Sequence, residues 1–249
     1  MAPVHVQVCG RIALLVDGER CEQLLPGRQG RELLVLLVLG RERALTRDQL
    51  SALLWPAGAP PAGDAALSSL LSKLRRILGG EVLAAGPGPH LVLPAGSFVD
   101  YDAATTAVHR AESAVAAADW TAAWGPARVA LHTANRGLLP GHDAPWVQEE
   151  RRELESIRLR SLECVAAAGL GLGGGEVAAA ERAGRTLVAG WPYHESGYRA
   201  LMDALDAQGN VAEALLLYEQ LRCLLRDELG ITPSKQLQQR HRDLLRQRA

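Results

Sequence analysis

The chain has 249 residues, 48% of them hydrophobic and 22% charged, with 27 Lys plus Arg against 28 Asp plus Glu. Such a composition belongs to a folded protein with one large or two ordinary cores, and it excludes a disordered or collagen-like chain. No apolar run approaches the roughly 20 residues of a membrane span, and no basic segment leads into an apolar block and a cleavage site, so a cytoplasmic protein without membrane contact is expected.

Taken in chain order, Val4, Val6 and Val8 alternate with His5 and Gln7, and Ile12 to Val16 leads through the turn dipeptide Asp17-Gly18 to Arg20 to Leu24. This pattern predicts a small antiparallel sheet. Pro26-Gly27 breaks it, and Arg28 to Leu39 predicts a largely buried helix closed by Gly40. Thr46 to Gln49 has capping-box spacing and predicts a short helix ending at Trp55-Pro56. After a Pro-containing loop, Asp64 is the expected N-cap of a third helix that stops at Gly79-Gly80. On a wheel Leu67, Leu70, Leu71, Leu74, Ile77 and Leu78 share one face, and Ser68, Ser69, Ser72, Lys73, Arg75 and Arg76 the other. Hydroxyls and cations on a helix suit a DNA groove, because they donate to phosphates and base edges. Glu81 to Ala84 and His90 to Leu93 predict a hairpin around Gly86-Pro87-Gly88-Pro89.

From Phe98 the sequence is helical and alanine-rich, with helices expected near 102–118, 120–133, 145–168, 175–189, 195–208, 210–229 and 234–247. Gly174 to Ala180 matches Gln208 to Ala214 at an offset of 34 residues, the period of tetratricopeptide helix pairs, and Ala118 to Trp124 is a weaker copy. Small residues at 122, 178 and 212 are expected where neighbouring helices approach. Two domains follow, 1–97 and 98–249. The first carries ten Lys plus Arg against eight Asp plus Glu, the second seventeen against twenty. A dedicated nucleic-acid binder is often more basic, so binding would depend on local charge placement.

Four scattered cysteines form no C-x-x-C pair and are expected to be small buried thiols, not metal ligands. Gly169, Gly171 and Gly174 satisfy G-x-G-x-x-G but follow no strand, which removes the dinucleotide reading. There is no phosphate-binding G-x-x-x-x-G-K-[ST], and the histidines lack metal-ligand spacing or a neighbouring nucleophile. No enzymatic activity, cofactor or metal is expected.

A sheet, three helices and a hairpin form the plan of a winged helix, whose last helix enters the major groove. Several segments carry a resemblance: Leu25 to Leu34, Leu53-Leu54-Trp55-Pro56 with Pro60-Pro61, Ala66 to Gly79, Ala214 to Tyr218, and Asp227-Glu228-Leu229-Gly230-Ile231-Thr232-Pro233-Ser234. With them the chain resembles the Streptomyces antibiotic regulatory proteins. The resemblance implies an α+β, OmpR-type winged helix followed by an all-α, tetratricopeptide-like bacterial transcriptional activation domain. It implies an activator of a secondary-metabolite gene cluster that binds promoter direct repeats as side-by-side protomers, a homodimer on double-stranded DNA, and recruits RNA polymerase through its sigma and alpha subunits. Carried onto this chain, Ser68, Ser69, Ser72, Lys73 and Arg76 would face the major groove, with Arg75 on the same polar face. Arg28, Arg31 and Arg47 would hold phosphates beside helix starts, and His90 would stand on the wing. Relatives carry a cation and an aromatic around the wing, where this chain has Ala84 to His90 without either. The alternative is therefore a protein- or ligand-binding helical-repeat regulator with weak or no autonomous DNA binding, using Trp120, Trp124, Trp146, Trp191 and Tyr198. Most of those five side chains are otherwise expected to anchor the core.

Overall fold

The computed structural model describes residues 3–43, 45–84 and 88–246. β1 (Val4–Gln7) pairs antiparallel with β2 (Ala13–Val16), setting Val4 opposite Val16, and β2 pairs with β3 (Glu19–Arg20). Val4 and Val6 are buried while His5 is exposed, as the alternation of residue types requires. Asp17 and Gly18 take φ of 56° and 80°, the two positive values of the hairpin turn whose twist matches its strands. The strand expected over Arg20 to Leu24 ends early, and a 3₁₀ turn covers Glu22–Leu24.

The sheet is mixed rather than antiparallel. β6 (Phe98–Val99) lies parallel to β1, with His5 opposite Phe98, so the order is β3-β2-β1-β6. Between β3 and β6 run α1 (Gly27–Leu39), α2 (Arg47–Leu54), α3 (Gly63–Leu78) and the hairpin of β4 (Leu83–Ala84) and β5 (His90–Leu91). Residues 85–87, part of the turn expected around Gly86-Pro87-Gly88-Pro89, lie outside the described residues. α1 buries Leu33 to Val38 continuously and therefore serves as the central helix of this part.

The Thr46 capping box forms: Gln49 N–H donates to Thr46 Oγ1 at 3.2 Å, and Thr46 N–H to Gln49 Oε1 at 2.8 Å. Asp64 is not the cap of α3. A turn closed by Gly63 N–H to Pro60 O at 2.8 Å runs straight into the helix, with Ala62 at the cap position. Asp64 falls in the first turn, where its charge meets the positive end of the helix dipole.

The remaining helices are α4 (Asp100–Ala116), α5 (Trp120–Ala134), α6 (Pro145–Leu172), α7 (Val177–Gly190), α8 (Glu195–Ala207), α9 (Val211–Leu229) and α10 (Lys235–Arg246). α7 and α9 begin 34 residues apart, as the repeat predicts. Ala122, Ala178 and Ala212 are exposed and do not mediate helix contacts. Glycines do so instead. A Cβ on Gly184 of α7 would stand 2.9 Å from Leu201 Cα, and one on Gly197 of α8 would stand 2.7 Å from Leu187 Cβ. Gly169 meets the chain entering α7 and Gly171 lies against the Trp120 ring, which gives two glycines of the G-x-G-x-x-G match a packing role.

Packing divides the described chain into two compact units, one of residues 1–104 with 133–155, the other of 105–132 with 156–249. The division expected at 97/98 differs, because residues 98–104 and 133–155 pack with the N-terminal sheet. Val8 and Cys9 amides donate to Asp100, Arg136 donates to Asp100, and Cys9 forms an isolated bridge with Leu138. In the second unit, Tyr198, Met202, Leu205, Leu217, Leu221 and Leu225 form a core joined by Leu237 and Leu244 of α10. The aromatic residues mostly anchor packing: Trp146 and Tyr198 are buried, and Trp124 and Trp191 lie against the cluster around Ala127, Leu162 and Leu187. All four cysteines are free. Cys9 and Cys164 are buried and Cys21 and Cys223 half-buried, and burial pushes the thiols of Cys9 and Cys164 up to about 12. No helix among the described residues is long and apolar enough to cross a membrane.

Candidate nucleic-acid interface

α3 separates its two faces cleanly. Leu67, Leu70, Leu71, Leu74 and Leu78 are buried, each contributing roughly 1.5–3 kcal/mol of transfer free energy. Ser68, Ser69, Ser72, Lys73 and Arg76 are exposed. The helix ends at Gly79, which takes φ of 93° and lets the chain turn away without a Cβ penalty. Among the described residues neither Lys73 nor Arg76 has an ion-pair or hydrogen-bond partner, so both cations remain available to an external anion.

Arg47, at the start of α2, donates from Nη2 to Ser68 Oγ at 2.6 Å and so brings a guanidinium to the rim of this face. Arg75 differs from its neighbours. It is half-buried, and its Nε donates to Leu83 O at 3.1 Å, tying α3 to the β4–β5 hairpin. Its role in this geometry is to hold the hairpin against the helix. His90 is half-buried on β5, with Nδ1 3.3 Å from Gly88 O.

Arg28 and Arg31 belong to a different constellation. Arg28 Nε lies 3.1 Å from Oε1 of the buried Glu32, and His142 Nδ1 lies 2.7 Å from the same oxygen. Arg31 lines a cavity with Gly10, Arg11, Glu22 and His142. The structure thus groups Arg47 with α3, and Arg28 and Arg31 with His142, which lies 110 positions after the Glu32 it pairs with. No local signal announces Arg11 or His142 as members of that second group; only the folded chain brings them to it.

On α3 a buried leucine face thus backs an exposed face of hydroxyls and cations that can meet an external anion. Residues 99–245 match the family described as bacterial transcriptional activator domain, and the chain belongs to that family, as a regulator of the Streptomyces antibiotic regulatory protein type. It is 33% identical over 239 residues to the regulatory protein AfsR of Streptomyces coelicolor, covering 96% of this chain and 24% of that one. Over 251 residues it is 28% identical to the transcriptional regulatory protein EmbR of Mycobacterium tuberculosis, covering 96% and 62%. The chain therefore spans about a quarter of the length of the AfsR proteins it matches. A solved structure of Mycobacterium tuberculosis EmbR in complex with a low-affinity phosphopeptide superposes with a TM-score of 0.84 at 25% identity, over 99% of this chain and 66% of that one.

Proposed function

We propose that the β-sheet, α1 to α3 and the β4–β5 hairpin form an OmpR-type winged helix, with α3 as its recognition helix. On this reading the chain is a sequence-specific DNA-binding activator of a secondary-metabolite gene cluster, acting at promoter direct repeats as side-by-side protomers. Its tetratricopeptide-like helices would contact RNA polymerase through sigma and alpha subunits. The observation that carries the reading is the exposed face of α3, where Lys73 and Arg76 stand unpaired among the described residues beside Ser68, Ser69 and Ser72. Lys and Arg read guanine through O6 and N7, whereas single hydroxyls make no bidentate contact. Specificity would then rest on Lys73 and Arg76 and on DNA shape, with Arg47 on a phosphate. Arg75 would act through the hairpin it holds, and His90 would stand beside the wing.

The test is a mobility shift with the promoter region upstream of the chain's own gene, comparing wild type with Lys73→Ala plus Arg76→Ala. The expected result is at least a tenfold loss of affinity, since each good base contact is worth about 1–3 kcal/mol. Absence of any shift for wild type at low salt, with and without RNA polymerase, would overturn the proposal.

A second reading, a helical-repeat binder with weak autonomous DNA binding, is favoured by one feature. The second unit holds a cavity of about 560 Å³ whose lining includes Val115, Ala167, Leu170 and Ala200 alongside Glu163 and Arg199. An apolar floor with a few charged groups is the usual character of a ligand groove. That reading predicts a missing DNA shift together with capture of a peptide or small molecule by the second unit.

A further inference from the structure

In the first unit the turn after β1, the 3₁₀ turn, the start of α1 and the loop ahead of α6 surround a cavity of about 640 Å³, with Arg11, Glu22, Gln23, Arg31 and His142 in its lining. That volume lies within the roughly 300–1,000 Å³ of small-molecule sites. Its walls are fixed from behind. Gly10 N–H donates to Gly137 O at 2.6 Å, and Arg151 donates to Leu138 O and Leu139 O at 2.9 and 2.7 Å. Glu32 holds His142 at 2.7 Å, and Asp100 holds the amides of Val8 and Cys9.

The arginines that build these walls are all engaged: Arg20 with Glu22, Arg28 with Glu32, Arg136 with Asp100, and Arg151 with the loop carbonyls. Arg11 and Arg31 are not. Among the described residues neither guanidinium has a partner, although both line the same cavity. Glu22, in the same lining, is engaged through Oε1 with Arg20. Two guanidiniums without partners at one concave site give it a positive potential and charge-assisted donors that an anionic occupant can use.

We propose that this cavity binds a small anionic metabolite. Arg11 and Arg31 take its carboxylate or phosphate in the planar, forked geometry that guanidinium offers. Ile12, Leu139 and Pro140 cover its carbon skeleton. A DNA phosphodiester is the other source of such an anion, but duplex DNA is a convex rod and Glu22 repels it.

The test is thermal unfolding of the full chain with inorganic pyrophosphate or with citrate, against sodium chloride matched in ionic strength. Either anion at tenfold above its Kd is expected to raise Tm by about 3–5 °C. A shift with pyrophosphate assigns the site to phosphates, and one with citrate to carboxylates. The shift is lost in Arg11→Gln plus Arg31→Gln, is weakened in Arg11→Gln alone, an exposed position whose change leaves the core intact, and persists in Lys73→Ala plus Arg76→Ala. Equal shifts with sodium chloride, or retention of the anion effect in the double Gln variant, overturns the proposal. Loss of DNA binding in the Arg31→Gln variant, without any anion effect on wild type, also overturns it and assigns the guanidinium to the DNA backbone.

Discussion

Asp100 is 3% exposed and accepts from Val8 N–H at 2.8 Å, Cys9 N–H at 3.1 Å and Arg136 Nη2 at 2.9 Å, so one carboxylate joins the end of β1, the start of α4 and the end of α5. Truncating it leaves two buried amides without an acceptor and a half-buried guanidinium without its anion. Asp100→Ala is therefore expected to destabilise the chain by about 3 kcal/mol in urea unfolding, with m unchanged. The same residue sets a pH dependence. Burial pushes its carboxyl above the ordinary 3.8, against the hydrogen bonds from Val8 and Cys9 and the Arg136 charge that pull it down. Above 3.8 and up to the raised native value, the folded chain keeps a proton that the unfolded chain has released, so Asp100 adds stability as pH falls through its native value. Asp100→Asn cannot titrate. The stability of wild type minus that of Asp100→Asn is expected to grow between pH 7 and pH 4, and a difference that shrinks would show that hydrogen bonding outweighs burial at this site.

At the scale of elements, the contact between α7 and α8 depends on missing side chains. A Cβ on Gly184 would meet the Leu201 backbone, which cannot rotate away, whereas one on Gly190, at the end of the same helix, meets nothing within 4 Å. Gly184→Ala is expected to cost about 1–3 kcal/mol and Gly190→Ala to be neutral or slightly stabilising, a contrast read from paired thermal melts. Thr46→Ala removes a cap that Gln49 answers reciprocally, and should cost about 1 kcal/mol by the same measurement. α1, α3 and α9 were legible in the sequence because their leucine spacing and stop glycines repeat one message over three or more turns, and α2 because its capping box marks its start. β6 was not, since Phe98-Val99 is too short to carry a period, and its pairing with β1 joins residues more than 90 positions apart. The α3 face was legible for the same reason as the helix. Arg75 escaped that reading because its bond to Leu83 O depends on where the hairpin folds back, and Arg31 because its cavity is closed by residues 139–142.

For the whole molecule, the family match begins at residue 99 while the packing boundary interleaves 1–104 with 133–155, so the divisions by family and by contact cross. A cut after residue 97 would remove β6 from β1, Asp100 from the amides of Val8 and Cys9, and Leu138 from its bridge to Cys9. It would also expose the edge of β1, an open strand that invites pairing between chains. Domain stabilities are only about 5–15 kcal/mol, and the Asp100 contacts alone account for about 3 kcal/mol of that by the reasoning above. The isolated fragment 1–97 is thus expected to lack a cooperative thermal transition, while 1–155, which restores every partner of β1, regains one by far-UV circular dichroism. A cooperative melt of 1–97 near that of the full chain would mean that the first three helices and the hairpin supply a sufficient core alone. Otherwise the part that presents α3 requires residues from 98–155 to fold, and on the proposed function substitutions at Arg136 or Asp100 should weaken DNA binding by unfolding α3's support rather than by touching DNA.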